Sequence, residues 1–280
     1  MKLLLTSIAF ILLSAPIKLP KEIKAEYQFV PSGLAVVNED TLSIQSFYML
    51  NHEVTNGEYQ KFLKWIEVNG TEEEKASAAI RSDNWNTEFK KGGLQYSKHY
   101  HTHEAYTNYP VVNVTFQAAN LYCQWIEKEI NGQLKEGSIK VRLPSHAEFI
   151  RAGAGDDLEA SYSWKDLHMR QPEGEFRANF LYVPQSRITK DEEGNFIVKP
   201  IDYGELNNSV DLTAPSKSYW KFSYGFYNLN GNVAEMINEP GVAVGGSCFN
   251  YGYDIRLQSR KEYDEAASLV GFRPVFTVVD

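Results

Sequence analysis

Apolar residues recur at helical spacing in three places along this chain and gather into short runs in five others. Thr55-Asn56-Gly57-Glu58 has the form of a capping box, in which a hydroxyl and a carboxylate each satisfy an N–H that the first helical turn leaves open. Tyr59, Phe62, Leu63 and Ile66 follow on one face, so a helix is predicted there. Thr115 is a suitable N-cap for a second helix, with Ala118, Ala119, Tyr122, Cys123 and Ile126 on one stripe and Gly132 as its stop. Ser145-His146-Ala147-Glu148 is a further capping box and opens a short helix that turns Phe149, Ile150 and Ala152 inward. All three stripes read as core faces. Strands are predicted at 28–30, 35–37, 140–143, 242–245 and 272–279. From 153 to 220 the pattern is irregular, and 71–106 is polar and without clear period, as expected of an insertion over the surface. Its acidic start at Thr71 reads as a solvated helix face. No internal repeat and no linker stand out.

The first residues break this pattern. Lys2 precedes a short apolar run, and Ser14, Ala15 and Pro16 follow it. That is the plan of an export signal, with a cut expected after Ala25 or after Ala15. The run is too short for a membrane span, which needs about 20 apolar residues. No cysteine lies near either cut, so a lipid anchor is not expected. The expectation is a leader over 1–25 and one exported domain over 26–280, periplasmic, envelope-associated or secreted. The remaining composition is that of an ordinary globular domain, with a formal net charge of −8 and no basic patch. This argues against a nucleic-acid partner. Two cysteines, Cys123 and Cys248, permit either a disulfide or two buried thiols.

Five blocks in order resemble the sulfatase-modifying-factor family, the fold of the formylglycine-generating enzyme. They are Phe29-Val30-Pro31-Ser32-Gly33; Phe47-Tyr48-Met49 with Glu53-Val54-Thr55-Asn56-Gly57-Glu58-Tyr59; Tyr109-Pro110-Val111-Val112-Asn113-Val114-Thr115; Arg142-Leu143-Pro144-Ser145 through Trp164; and the C-terminal blocks. The last comprise Asn228-Leu229-Asn230-Gly231-Asn232-Val233-Ala234-Glu235, Gly245-Gly246-Ser247 and Gly271-Phe272-Arg273. The resemblance implies an α+β fold of irregular, low secondary-structure content, related to C-type lectins. It also implies structural calcium. One site would use the Asn228 and Glu235 side chains with the Gly231 and Val233 carbonyls. A second would use Asn179 and Asn208 with the Phe180 and Val210 carbonyls. Amide, carboxylate and carbonyl oxygens are the ligand types a hard cation takes.

Catalytic members of the family oxidise a substrate cysteine to formylglycine with copper(I) held by two cysteines just past the Gly-Gly-Ser block. Here that segment offers Cys248 alone, directly after Ser247, and Asn250 stands about where the first of the pair would be. Copper(I) prefers soft thiolates, and one thiol does not make a two-thiolate site. Cys123 resembles a structural position of the family whose usual cysteine partner is Pro274 here. The expected role is therefore a non-catalytic, calcium-stabilised envelope component that binds a protein partner, resembling gliding-motility and type IX secretion components. Two alternatives stand beside it. One is an oxidoreductase or hydroxylase using Cys248, or a transition metal on His99, His101 and His103, which share one face if their segment is extended. The other is a lectin-like binder using Tyr219, Trp220, Phe222, Tyr224 and Tyr227, although core packing accounts for those rings more simply. Arg256, Arg260 and Arg273 are expected to pair with carboxylates or loop carbonyls.

Overall fold

In the computed structural model, residues 17–89, 93–183, 185–198 and 212–279 are described. Of the leader expected over 1–25, residues 1–16 lie outside them. Seven helices are present among these residues: α1 Lys21–Glu26, α2 Asn56–Asn69, α3 Glu72–Ala78, α4 Asn84–Glu88, α5 Gly93–His99, α6 Phe116–Asn131 and α7 His146–Ala154. The strands are β1 Tyr27–Val30, β2 Gly33–Val37, β3 Asp40–Ile44, β4 Phe47–Leu50, β5 Ser138–Arg142, β6 Ile188–Lys190, β7 Phe196–Val198, β8 Ala234–Met236, β9 Val242–Val244, β10 Arg260–Glu262, β11 Val270–Phe272 and β12 Val275–Val279.

Both capping boxes expected from sequence form at α2 and α7, and Thr71 with Glu74 adds a third at α3. The α2 and α6 stripes pack on each other through Tyr59, Phe62, Tyr122 and Trp125. They cover an antiparallel sheet ordered β1-β4-β12-β5. A second sheet is ordered β10-β9-β8-β11, with β11 parallel to β8. The strand expected over 272–279 is thus two strands in different sheets, divided at Arg273-Pro274. Pro274 has no N–H to give a ladder, and its carbonyl accepts from Leu50 instead.

The region 71–106 departs from expectation. It is not only a polar cover. Trp85 and Tyr100 are fully buried in an aromatic cluster with Phe89, Val112 and Val233. Helices α4 and α5 are five and seven residues long, too short to display a helical period. Their apolar contribution is concentrated in a few aromatic rings, each worth about 1.5–3 kcal/mol when fully buried.

From α7 to β8 the chain is mostly loop, and buried asparagines hold it by standing in for backbone partners. Asn230 accepts from the Ser163 N–H at 2.9 Å and donates to the Ile255 carbonyl at 2.7 Å. Asn232 accepts from the Ala214 N–H at 2.7 Å and donates to the Ala214 carbonyl at 3.2 Å, as a neighbouring strand would. Loops away from solvent need such partners for every N–H and C=O.

Candidate functional site

The Asn-Gly-Asn loop before β8 delivers its polar side chains to a buried centre. Glu235 lies on β8 and meets Arg273 through both carboxylate oxygens, each at 2.6 Å. Both side chains are essentially without solvent contact. Arg273 also donates to the Tyr227 carbonyl at 2.9 Å. Beside this pair sits Glu53, fully buried between β4 and α2. Its two oxygens accept from Asn232 at 2.8 Å and Asn228 at 3.2 Å. Burial raises the Glu53 carboxyl to about 8, Arg273 working against the rise and Glu235 with it. Burial thus favours the protonated form of Glu53, against the amide donors that favour the carboxylate.

This geometry surrounds the calcium ligands expected at that loop. Glu235 is the one charged ligand in the expected set of Asn228, Gly231, Val233 and Glu235, and both of its oxygens belong to Arg273. The Asn228 side-chain nitrogen is turned to Glu53 and to the Ser216 carbonyl at 3.1 Å. Asn228 keeps its side-chain oxygen, and each Glu235 oxygen a second lone pair, beside these bonds. In the second expected set, Asn208 and Val210 lie outside the described residues. Asn179 donates to the Leu212 carbonyl and to Asn232, both at 3.2 Å. Phe180 turns its ring into a surface groove.

The histidine cluster is corrected. Its segment is the end of α5 and the turn after it, not an extended strand. His101 is buried, and burial holds its imidazole down to about 3. Asn56 donates its amide to the Tyr100 and Tyr106 carbonyls, which leaves its oxygen to accept from His101 Nδ1 at 3.0 Å. Trp85 Nε1 donates to His101 Nε2 at 3.4 Å. Both ring nitrogens are occupied, so His101 has no lone pair for a metal. His103 Nδ1 accepts from the Ala105 N–H, and His99 meets His103 edge to face. No cluster of three or more His, Cys, Asp or Glu with metal-holding geometry is found among the described residues.

Neither cysteine is in a disulfide, and both are buried. Cys123 lies on the buried face of α6, in the main core, and Cys248 in the aromatic cluster of Trp85. Burial pushes the Cys248 thiol up to about 12, and the Cys123 thiol higher still. Thiolate is the reactive form, so this burial works against the redox role considered for Cys248. Asn250 closes the turn instead, accepting from the Ser247 N–H at 2.9 Å and hydroxyl at 2.8 Å.

Two cavities open on the surface, each of about 490 Å³. The first abuts the turn after Gly245-Gly246-Ser247. The Leu181 N–H donates to the Asn250 carbonyl at 2.9 Å and Leu181 bridges to Tyr251, which ties the groove wall to that turn. Its lining is His168, Met169, Arg170, Gln171, Pro172, Phe176, Arg177, Phe180 and Tyr182. The Arg170 guanidinium lies 3.5 Å from the centre of the Phe176 ring and 5.3 Å from that of Tyr182. Arg177 pairs with Asp166 at 2.6 Å. Beneath the groove, Tyr162 and Trp164 stack at 4.8 Å. Sequence reasoning missed this site because its residues sit on loops without period. The dense Arg, Phe and Tyr between 170 and 182 were the available signal.

The second cavity lies between α1 and α2. His52 is buried there with Nδ1 2.7 Å from the Asn51 side-chain oxygen and Nε2 3.2 Å from Glu58. Asn51 gives its amide to the Ala25 carbonyl, which turns its side-chain oxygen to His52, so both His52 nitrogens face oxygen atoms. Burial raises the Glu58 carboxyl, but hydrogen bonds from His52 and Thr55, with the His52 charge, more than reverse this and leave it below the usual range. Glu26 joins from α1, 3.5 Å from His52 and 2.7 Å from Lys217. Of the C-terminal rings, Phe222 packs on Trp164 and Trp220 remains partly exposed. Arg260 pairs with Glu239, and Arg256 donates to the Tyr253 carbonyl.

A family model described as the sulfatase-modifying factor enzyme 1-like domain matches residues 21–278. The serine/threonine-protein kinase pkn1 of Chlamydia caviae is 26% identical over 220 residues, covering 78% of this chain and 25% of the kinase. The formylglycine-generating enzyme of Bos taurus is 24% identical over 266 residues, covering 83% of this chain and 66% of the enzyme. The chain thus spans a quarter of the first relative and just under two thirds of the second. Among solved structures, CarF aligns with a TM-score of 0.57 at 19% identity, covering 91% of this chain and 98% of CarF. PvdO from Pseudomonas aeruginosa aligns at 0.56 and 13%, covering 94% and 99%. At such identities the structural likeness establishes the fold.

Proposed function

The chain belongs to the sulfatase-modifying factor enzyme 1-like domain family, and from that premise we propose that it is a non-catalytic member that binds a protein partner. The observation that carries this reading is the state of Cys248. Formylglycine generation in the resembling enzymes needs two thiolates for copper(I) after the Gly-Gly-Ser turn. This chain has one thiol there, fully packed and held protonated by burial, and Asn250 caps the turn where a ligand would stand. The residues present do not fit copper(I).

The groove from His168 to Tyr182 is the binding face of this proposal. It abuts the turn on which the resemblance places the chemistry, and it has the concave, mainly apolar lining with a few polar groups that ligand sites share. The export signal read in the sequence supports a role in or beyond the cell envelope. In that setting the domain acts as a binding component of an envelope assembly, of the gliding or secretion type.

The test is a conversion assay. A sulfatase peptide bearing the target cysteine is incubated with the purified protein and copper(I), and peptide mass is followed. No formylglycine product is expected, and stoichiometric, enzyme-dependent conversion would overturn the proposal. Affinity purification from an envelope fraction should recover the chain in a complex much larger than itself.

A further inference from the structure

We propose that the groove from His168 to Tyr182 selects a peptide segment carrying a carboxylate side chain next to an apolar one. This deepens the binding role proposed above and rests on it. The lining holds three basic side chains, His168, Arg170 and Arg177, and no carboxylate among the described residues. Arg170 is exposed and has no acidic partner among them. Its described interactions are a hydrogen bond to the Gly174 carbonyl and the faces of Phe176 and Tyr182. Stacking on two rings fixes the plane of the guanidinium and leaves its remaining N–H groups in the groove. A planar fork held in this way matches a carboxylate.

The second observation is Arg177. Its Nη1 is committed to Asp166, but its Nε is buried and has no partner among the described residues. An unsatisfied buried N–H is costly, and a small shift of the Arg177 side chain would let an acceptor in the groove pair with it. Met169, Pro172, Phe180 and the edge of Tyr182 complete the walls with apolar surface, which suits a residue flanking the acid.

Glu173 and Glu175 sit exposed on the same turn, outside the lining, and the chain as a whole carries −8. Long-range attraction therefore does not draw an acid in. Selectivity comes from contact with Arg170 and Arg177. A saccharide acid shares the carboxylate, but it also needs many paired donors and acceptors. Beyond the cations and Gln171 the lining supplies mainly hydrocarbon and aromatic rings.

The experiment uses the purified chain on an array of short random peptides, followed by fluorescence polarisation. The probe is a labelled peptide with an aspartate between leucine and phenylalanine, and its twin carries asparagine in place of the aspartate. The array should enrich acidic residues beside apolar ones, and the twin should bind at least about tenfold more weakly, the value of a hydrogen bond to a charged group. Arg170→Ala should lose about as much with unchanged melting temperature, because the side chain is exposed, and Arg170→Lys should recover only part. Equal binding of the two peptides, no acidic enrichment, or binding of an oligogalacturonate instead of peptide would overturn the inference. Formylglycine conversion would overturn the non-catalytic reading alone and leave this selectivity measurable.

Discussion

Glu53 and Glu235 are both buried carboxyls, yet their partners give them opposite characters. Glu235 has a guanidinium on both oxygens and behaves as half of an ion pair. Glu53 has two amide donors and no cation of its own, so burial dominates and its carboxyl rises from 4.5 to about 8. The sign of the linkage follows. The folded state holds the Glu53 proton where the unfolded chain has lost it, so this contribution to stability is full below about pH 4.5 and is lost as pH rises to about 8. Glu53→Gln should flatten the fall in urea midpoint between pH 5 and pH 9, and an unchanged slope would show that Glu53 is ionised in the fold. Glu58 and Glu148 are depressed, so their contributions disappear as pH falls below the unfolded carboxylate value, outside that window. Glu235→Gln makes a different prediction. It leaves the Arg273 charge buried and unpaired, and unfolding free energy should fall by about 3–5 kcal/mol, read from denaturant melts with and without calcium. Stabilisation of the wild type by calcium that disappears in Glu235→Gln would place the metal at this loop.

The elements legible in the sequence are those whose signals are local. A capping box needs four residues and an apolar stripe a few turns, and α2, α6 and α7 appear where these were read. Legibility ends where a structure depends on distant partners. The run at 272–279 looks continuous, but Arg273 must turn inward to reach Glu235, and this divides it between two sheets. Glu53 sat in a block matched as a helix start, and nothing within three residues announces that Asn228 and Asn232 will bury it. The Gly245-Gly246-Ser247 turn shows the same dependence. Gly246 has φ +66, and a Cβ there would lie 2.5 Å from the Asp254 carbonyl oxygen. Gly246→Ala should cost about 1–3 kcal/mol of stability and shift the turn. Cys248, two residues on, reports on it. Its thiol should resist a disulfide reagent in the folded wild type, react fully in denaturant, and react measurably in the folded variant. Prompt reaction in the folded wild type would refute the packed, protonated thiol on which the non-catalytic reading stands.

At the scale of the whole molecule, the N-terminal segment decides where the folded domain begins. Sequence offered two cuts for the leader, after Ala25 or after Ala15, and the residues between them are packed. Leu19 is buried in the main core beside Tyr27 and Ile130, and Ile17 packs against the same cluster. The Ala25 carbonyl accepts from Asn51 at 3.0 Å. Glu26 links α1 to the buried His52 and to Lys217. A chain starting at residue 26 would expose the pocket that Leu19 fills and remove the acceptor that orients the Asn51 amide. With that amide free to turn, His52 loses its fixed contact with the Asn51 oxygen, and the α1–α2 cavity loses its geometry. These losses act at one site and do not simply add. Burying a leucine contributes about 1.5–3 kcal/mol, and the hydrogen bond about 1 kcal/mol more. A variant beginning at residue 16 should therefore melt well above one beginning at residue 26, and N-terminal sequencing of the protein from its native cells should find Leu19 retained. Equal melting temperatures, or a mature terminus at Glu26, would place the packed segment outside the folded domain.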